Sequence, residues 1–257
     1  MTGNAGTDSG TVGATETTFA IIEHLREFDG TGVTEIADVL DLSKSTVHNH
    51  LRTLRRLGYV IKQDNSYHLG LQFLDLGHAA RARRNVYDVA KPEMDELVSN
   101  IGEHGYVMVE EGNRGVYIYQ SKSERAVQTD SHIGTSVDLH ATAVGQAYIA
   151  HLSERRRNEV LEELDFTPRT ESTYTERESF EEKLSSIRER GFALNDEERF
   201  VGMRAVGAPV LGPDDRVLAA ISVSGPTTRM SGERFRSELP EVVQRTARII
   251  GIRATYS

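Results

Sequence analysis

Residues 34–60 read TEIADVLDLSKSTVHNHLRTLRRLGYV, a stretch that predicts two helices joined by a tight turn. Thr34 is expected to cap a short helix over residues 35–40, because a threonine oxygen can accept the first free backbone amides. Ser43 is expected to cap a longer helix that ends near Leu57. Apolar residues recur at helical spacing in both segments, so each helix has one face suited to burial.

The flanking sequence adds a helix before this stretch and a hairpin after it. Apolar residues between Phe19 and Phe28 recur every three positions, which predicts an amphipathic helix. Residues 59–63 and 67–69 predict two strands around a turn at 64–66. The resulting order of helix, helix, turn, helix and hairpin indicates a DNA-reading module with a recognition helix and a wing.

The charge pattern supports this interpretation. The whole chain has a net charge of −9, yet residues 42–63 contain basic side chains and no acidic one. Such a local positive surface is typical of DNA binding, where Arg and Lys contact phosphates and polar side chains contact bases. The alternative is an ordinary helical hairpin with a solvated polar face. The candidate DNA-binding residues are Thr34, Ser43, Lys44, Ser45, Thr46, His48, Asn49, Arg52 and Lys62.

Composition restricts the remaining possibilities. The 257 residues suffice for one large domain or two modest ones, and the absence of cysteine excludes disulfides and thiolate metal sites. There is no apolar run long enough for a membrane helix and no export signal, so a cytoplasmic location without membrane association is expected. His48 and His50 are two residues apart and would not face each other on a helix, so no metal and no cofactor are predicted.

The rest of the chain mixes helices and strands. Residues 70–89 predict a connecting helix, and Pro92 is expected to open the next one. Residues 106–110 and 115–120 predict one hairpin, and residues 205–211 and 217–224 predict a second. Further helices are predicted over residues 140–152, 180–190 and 239–251.

Four stretches, taken in order, resemble the IclR family of transcriptional regulators over about residues 17–254. The first is the winged helix, from Leu42-Ser-Lys-Ser-Thr-Val-His to Gly58 and then Tyr67-His-Leu-Gly70. The second extends from Gly134 to Ala150 and contains Leu139-His-Ala-Thr-Ala-Val-Gly-Gln-Ala147. The third is Gly191-Phe-Ala-Leu-Asn-Asp-Glu-Glu198-Arg-Phe-Val-Gly202, and it is followed by Ala208-Pro-Val210. The fourth is Ala219-Ala-Ile-Ser-Val-Ser-Gly-Pro226.

The resemblance implies an α+β protein with a winged helix-turn-helix over 17–70, a linker helix over 71–89 and a GAF-like α/β effector-binding domain over 90–254. Residues 1–16 precede the matched range and, being rich in Thr, Gly, Ser and Ala, are expected to form a disordered leader. It implies a double-stranded DNA operator, a small-molecule effector and a homodimer or tetramer. The effector is expected to be a sugar, sugar acid or organic acid of a catabolic pathway. The effector-binding candidates carried over from the family are Ala143, Val144, Asn195, Ala205, Ser222 and Ser224. Asn195 stands where the family often has Asp, and Ala205 where it often has Cys.

Some of these residues can be interpreted without the family. Ser222 and Ser224 alternate along a strand, so both hydroxyls face one side, either toward a ligand or toward solvent. His140 either orients a ligand or is a buried structural residue. Glu198 is expected to fix the loop that ends at Gly202.

Catalytic residues are not predicted, because the sequence lacks a nucleophile elbow, a P-loop, a dinucleotide-binding fingerprint and a His-Glu-x-x-His motif. Two other functions stay open: a metabolite-binding enzyme, or a sensory module that uses its C-terminal domain for protein interactions.

Overall fold

The computed structural model describes residues 10–125, 127 and 131–256 and divides into two units, one ending at Arg81 and the other beginning at Ala82. The first unit contains three helices, an antiparallel hairpin and most of a fourth helix. These elements are α1 (Gly13–Glu27), α2 (Val33–Val39), α3 (Lys44–Arg56), β1 (Val60–Gln63), β2 (Ser66–Leu69) and α4 (Gln72–Ala82).

The core of the first unit confirms the predicted helical faces. Ile21 of α1, Ile36 of α2 and Leu51 of α3 are completely buried against one another and pack with Tyr67 of the hairpin. Ser43 caps α3 as predicted, because its Oγ accepts a hydrogen bond from the Thr46 amide at 3.0 Å. This order of elements is a helix-turn-helix followed by a wing.

Three sequence predictions in this region are wrong. Thr34 does not cap α2, because the helix already begins at Val33 and has Gly32 as its N-cap. Residues 13–16 belong to α1 and not to a leader, whereas residues 1–9 of the predicted leader lie outside the described residues. Pro92 lies inside helix α5 (Val86–Ile101) and does not open it.

The predicted single helix over residues 71–89 is also wrong, since the chain breaks between α4 and α5 at residues 83–85. The two helices differ in what they bury. No described residue of α4 is buried, whereas Val86 and Ala90 of α5 pack into the core of the second unit. The break therefore falls where the chain begins to contribute to a different hydrophobic core.

The second unit is built on an antiparallel sheet with the strand order β5-β4-β3-β8-β7-β6. Both predicted hairpins are confirmed, as β3–β4 and β7–β8, while β5 and β6 were not predicted. The strands are β3 (His104–Glu111), β4 (Arg114–Ser121), β5 (Ser136–Val137), β6 (Ala193–Asp196), β7 (Met203–Leu211) and β8 (Val217–Pro226).

Helices cover both faces of this sheet. One core contains α5 and α9 (Leu239–Tyr256), and the other contains α6 (Ala143–Ala150), α7 (Glu154–Glu163) and α8 (Arg177–Arg190). Every residue of α6 is buried. The helix begins at residue 143, and not at the predicted 140, because the Thr142 hydroxyl caps it by accepting from the Gly145 amide. No described helix is long and apolar enough to span a membrane.

Candidate DNA-binding and effector-binding sites

The recognition-helix candidate α3 presents two distinct faces. Val47, Leu51 and Leu54 are buried, and the opposite face is polar and exposed. Residues three to four apart on a helix lie on the same side, so the polar side chains form one continuous surface. The exposed members of the predicted set on this helix are Lys44, Ser45, His48, Asn49 and Arg52.

Hydroxyl groups fix the start of α3. The Ser43 Oγ lies 2.8 Å from both the Ser45 Oγ and the Thr46 Oγ1, in addition to its bond with the Thr46 amide. No acidic residue lies in the first turn. The positive end of the helix dipole is therefore not neutralised locally, which favours contact with a DNA phosphate.

The remaining DNA candidates lie outside this helix. Thr34 is exposed on α2, and Lys62 is exposed on the β1 strand of the wing, with its ammonium 5.5 Å from the centroid of the Tyr67 ring. His50 differs from its neighbour His48, because its Nδ1 bonds the Thr18 hydroxyl of α1 at 2.8 Å. The two histidines thus face different surroundings, and no cluster of three or more metal-ligating side chains occurs in the described chain.

Two substitutions distinguish base contact from phosphate contact on this surface. We expect Asn49→Ala to weaken binding to the preferred operator by about 1–3 kcal/mol and to relax preference at one base pair. Lys62→Ala should weaken binding to all sequences alike and reduce the slope of log K against log salt by about one. Operator titrations at several salt concentrations measure both effects, with Asn158→Ala in the second unit as the control. Unchanged titrations for both variants would refute the assignment of α3.

The structure brings the six effector-binding candidates together around one cavity of the second unit. The cavity measures about 50 Å³ and lies between the start of α6 and the sheet. A single water needs about 10–15 Å³, so this space suits only a small ligand. Its wall includes Ala143, Val144, Asn195, Ala205, Ser222 and Ser224.

Strand pairing explains why residues distant in sequence meet here. Paired residues of antiparallel strands project from the same face of a sheet. One row across the sheet consists of Asn195, Ala205, Ser224 and His104. The neighbouring row consists of Ala193, Gly207, Ser222 and Tyr106.

Gly207 allows α6 to approach the sheet at this point. A Cβ at position 207 would lie 2.4 Å from the Ala143 carbonyl oxygen, closer than packed atoms allow. The first amides of a helix have no carbonyl partner within the helix. The missing side chain therefore lets the N-terminus of α6 face the serines of β8 across the cavity.

The two serine hydroxyls are available to a ligand. Ser222 is buried and Ser224 is half-buried, and both line the cavity, as their alternation along β8 predicts. Within the described ranges, neither hydroxyl has a hydrogen-bond partner. A polar group next to a cavity without such a partner gains free energy when a ligand supplies one.

Sequence reasoning missed several residues of the cavity wall. Tyr106 and Tyr117 stack with their ring centroids 4.5 Å apart, and Arg199 donates from Nη1 to the Tyr117 hydroxyl at 3.3 Å. Arg204 also lines the cavity, but its guanidinium is held by both carboxylate oxygens of Asp196. Alternation on the predicted strands could have indicated that the tyrosines face inward, but not which strand lies beside them.

Asn195 is engaged by the protein itself. Its Nδ2 donates to the Ala141 carbonyl at 2.9 Å and to the Glu198 carboxylate, and its Oδ1 accepts from the Glu198 amide at 3.2 Å. It therefore joins β6 to the segment before α6 and has little capacity left for a ligand.

Glu198 fixes the loop between β6 and β7, which ends at Gly202, by holding it to α6 and α8 through a buried network. Its carboxylate accepts from the Lys183 ammonium at 3.0 Å and from the Gln146 amide, and it is only 3% exposed. The neighbouring Glu197 also holds this loop, accepting from the Gly202 amide at 2.6 Å. The expectation for Glu198 is therefore met, and Glu197 adds a contact that the sequence did not predict.

Burial dominates the electrostatics of this network. Removal from water raises the pKa of the Glu198 carboxyl above its usual range, although the Lys183 charge and the hydrogen bonds from Gln146 and Lys183 act in the opposite direction. The ion pair therefore offsets only part of the desolvation cost.

Of the two interpretations of His140, the structure supports that of a buried structural residue. It is completely buried, its Nε2 lies 3.0 Å from the Thr167 carbonyl oxygen, and its ring packs against Phe166 and Phe180. It does not line the cavity of the six candidates.

Both units match known proteins. Residues 14–64 match the IclR helix-turn-helix domain, and residues 78–252 match the C-terminal domain described as bacterial transcriptional regulator IclR C-terminal. The chain is 32% identical over 237 residues to the probable HTH-type transcriptional regulator ArcR of Halobacterium salinarum, covering 91% of this chain and 90% of that protein.

Two further similarities extend over most of the chain. The HTH-type transcriptional regulator XynR of Escherichia coli is 34% identical over 224 residues, covering 85% of this chain and 89% of that protein. The crystal structure of the Thermotoga maritima IclR superposes with a TM-score of 0.82 at 27% identity, covering 95% of this chain and 99% of that one.

Proposed function

Because the chain belongs to the IclR family of transcriptional regulators and is a metabolite-controlled DNA-binding protein, we propose that its effector is a short organic acid or sugar acid bound beside α6. The observation that carries this proposal is the pair of unpartnered hydroxyls, Ser222 and Ser224, opposite the N-terminus of α6 in a small cavity.

A carboxylate suits this arrangement. The amides of Ala143 and Val144 and the positive end of the α6 dipole favour an anion. The serine hydroxyls donate to carboxylate oxygens, and such charge-assisted bonds are stronger than neutral ones. The stacked Tyr106 and Tyr117 rings provide an apolar wall for the body of the ligand. A neutral sugar would use the same hydroxyls but would gain nothing from the helix dipole.

A thermal-shift screen of sugar acids, short organic acids and neutral sugars tests the proposal. A ligand present at a hundred times its Kd stabilises the folded state by about 2.7 kcal/mol, which raises the Tm measurably. We expect stabilisation by at least one acid and not by its amide or its neutral sugar counterpart. Stabilisation by a neutral sugar alone would overturn the choice of an acid.

The operator and the assembly complete the proposal. Leu74 of α4 is 69% exposed and lies three residues after Leu71, which precedes the helix and is 81% exposed, so these apolar side chains are suited to contact with a second copy of the chain. A homodimer would read two related half-sites about 34 Å apart, or a multiple of that distance, and could pair into a tetramer. Sedimentation of the full-length protein checks this, since a monomer at high concentration would contradict it. We propose a regulator of catabolism that is not an enzyme, so the effector is released chemically unchanged.

A further inference from the structure

A second cavity lies at the opposite end of α6 from the effector cavity. It measures about 840 Å³ and is lined by the end of α6, the start of α7, the β7–β8 turn and the segment that opens α5. Residues 143 and 144 contact the effector cavity, whereas residues 148 and 151 contact this one. Because the eight residues of α6 span about 12 Å, a ligand here would not overlap the effector.

A tyrosine hydroxyl forms part of the wall of this cavity. Tyr148 is 8% exposed, and no described residue forms a hydrogen bond with its phenol oxygen. Buried tyrosines ordinarily find such a partner. Burial, reinforced by Glu110, raises the pKa of Tyr148 to about 12, so the hydroxyl keeps its proton and remains a donor.

Arginines line much of this cavity. Arg84, Arg156 and Arg216 are among them, and Arg84 is paired with Glu111 at 3.1 Å. Arg188 lines it as well. Among the described residues, no carboxylate lies within ion-pair distance of Arg188 or Arg216.

The acidic side chains at this cavity are partly compensated. Glu110 accepts from Arg156 at 3.2 Å and from the Asn113 amide at 2.8 Å. Asp214 and Asp215 lie in the β7–β8 turn and are exposed to solvent, as are Arg188 and Arg216. The lining as a whole contains five arginines and three carboxylates, in a chain whose net charge is −9.

A histidine adds an acceptor. The Nδ1 of His151 lies 2.9 Å from the Ala147 carbonyl oxygen, which can only accept, so Nδ1 carries the proton. Its Nε2 is then left as an acceptor in a residue that lines the cavity. A phosphate group presents several acceptor oxygens and, when monoprotonated, one donor. Arginine guanidinium groups and the Tyr148 phenol can donate to these oxygens, and the His151 imidazole can accept from the phosphate hydroxyl.

We propose that this cavity binds a phosphate-bearing small molecule, at a site separate from the effector site. A small molecule fits better than the phosphates of DNA, because Tyr148 is only 8% exposed and a duplex backbone is too wide to reach such a side chain. The proposal does not rest on the identity of the effector.

Calorimetric titration of the full-length protein with inorganic phosphate tests it. We expect saturable binding that Tyr148→Phe and Arg216→Gln each weaken about tenfold, as for the loss of one bond to a charged ligand. Arg155→Gln is the matched control, since Arg155 is 91% exposed on α7 and pairs only with Glu159. The Ser222→Ala/Ser224→Ala variant should bind phosphate normally.

Other outcomes would overturn the proposal. One is that phosphate does not bind saturably. Another is that Arg155→Gln weakens phosphate binding as much as the cavity variants do, and a third is that Tyr148→Phe and Arg216→Gln both bind phosphate with wild-type affinity. Binding of a DNA duplex of unrelated sequence is measured as a further test. If Arg216→Gln weakens duplex binding while phosphate alone does not bind, the cavity contacts DNA and not a small molecule.

Discussion

Replacing Lys183 with methionine is expected to lower the free energy of unfolding by about 3–5 kcal/mol, because it leaves the Glu198 carboxylate buried without its charged partner. Lys183 is 15% exposed and Glu198 4% exposed in their side chains, so solvent screens the pair little. The substitution also removes the donor to the Leu194 carbonyl. Urea denaturation followed by circular dichroism measures the loss.

The pH dependence of this loss identifies its cause. The pKa of the folded Glu198 is already raised, so its protonation favours the folded state. Because Lys183 lowers this pKa, its removal raises the pKa of Glu198 further. The deficit of Lys183→Met should therefore be largest above the folded pKa of Glu198 in the variant and shrink as the pH falls through it. Adding Glu198→Gln should restore most of the stability at neutral pH. A loss below about 1 kcal/mol, or one independent of pH, would contradict the buried pair as its cause.

The second large effect concerns the ligand response. Ser222→Ala combined with Ser224→Ala should weaken binding of the stabilising acid by about 100-fold or more, because each hydroxyl bond to a charged group contributes about 1.5–3 kcal/mol. Operator binding without the acid should stay unchanged, since both serines lie in the second unit. Calorimetry with the acid measures the loss.

The control for this variant is Ser179→Ala combined with Ser185→Ala, because both of these hydroxyls are exposed on α8 and bond only their own helix. It should bind the acid as the wild type does. Wild-type affinity in the Ser222 and Ser224 variant would place the effector elsewhere.

Local sequence signals predicted the order of elements in the first unit, although not every helix start. Its helices are fixed by nearby features, such as the Ser43 cap and the spacing of Val47, Leu51 and Leu54. The break at residues 83–85 had no such signal, because it contains neither Gly nor Pro. It depends on which core Val86 enters, and that is decided by the tertiary fold.

The effector cavity likewise combines features that the sequence predicted with features that depend on the tertiary fold. The alternation of Ser222 and Ser224 was visible in the sequence, but their neighbours were not. Tyr106 and His104 come beside them only because β3 pairs with β8, more than a hundred residues away. The role of Asn195 was equally hidden, since its amide is used by the Ala141 carbonyl and Glu198.

Operator affinity, measured with and without the stabilising acid at one salt concentration, is the most direct test of metabolite-controlled DNA binding through the cavity beside α6. We expect saturating acid to change the operator Kd by about 5–150-fold, and operator DNA to change the Kd of the acid by the same factor. The Ser222→Ala/Ser224→Ala variant should show no change at that acid concentration. An operator Kd that is identical with and without bound acid would contradict this mechanism.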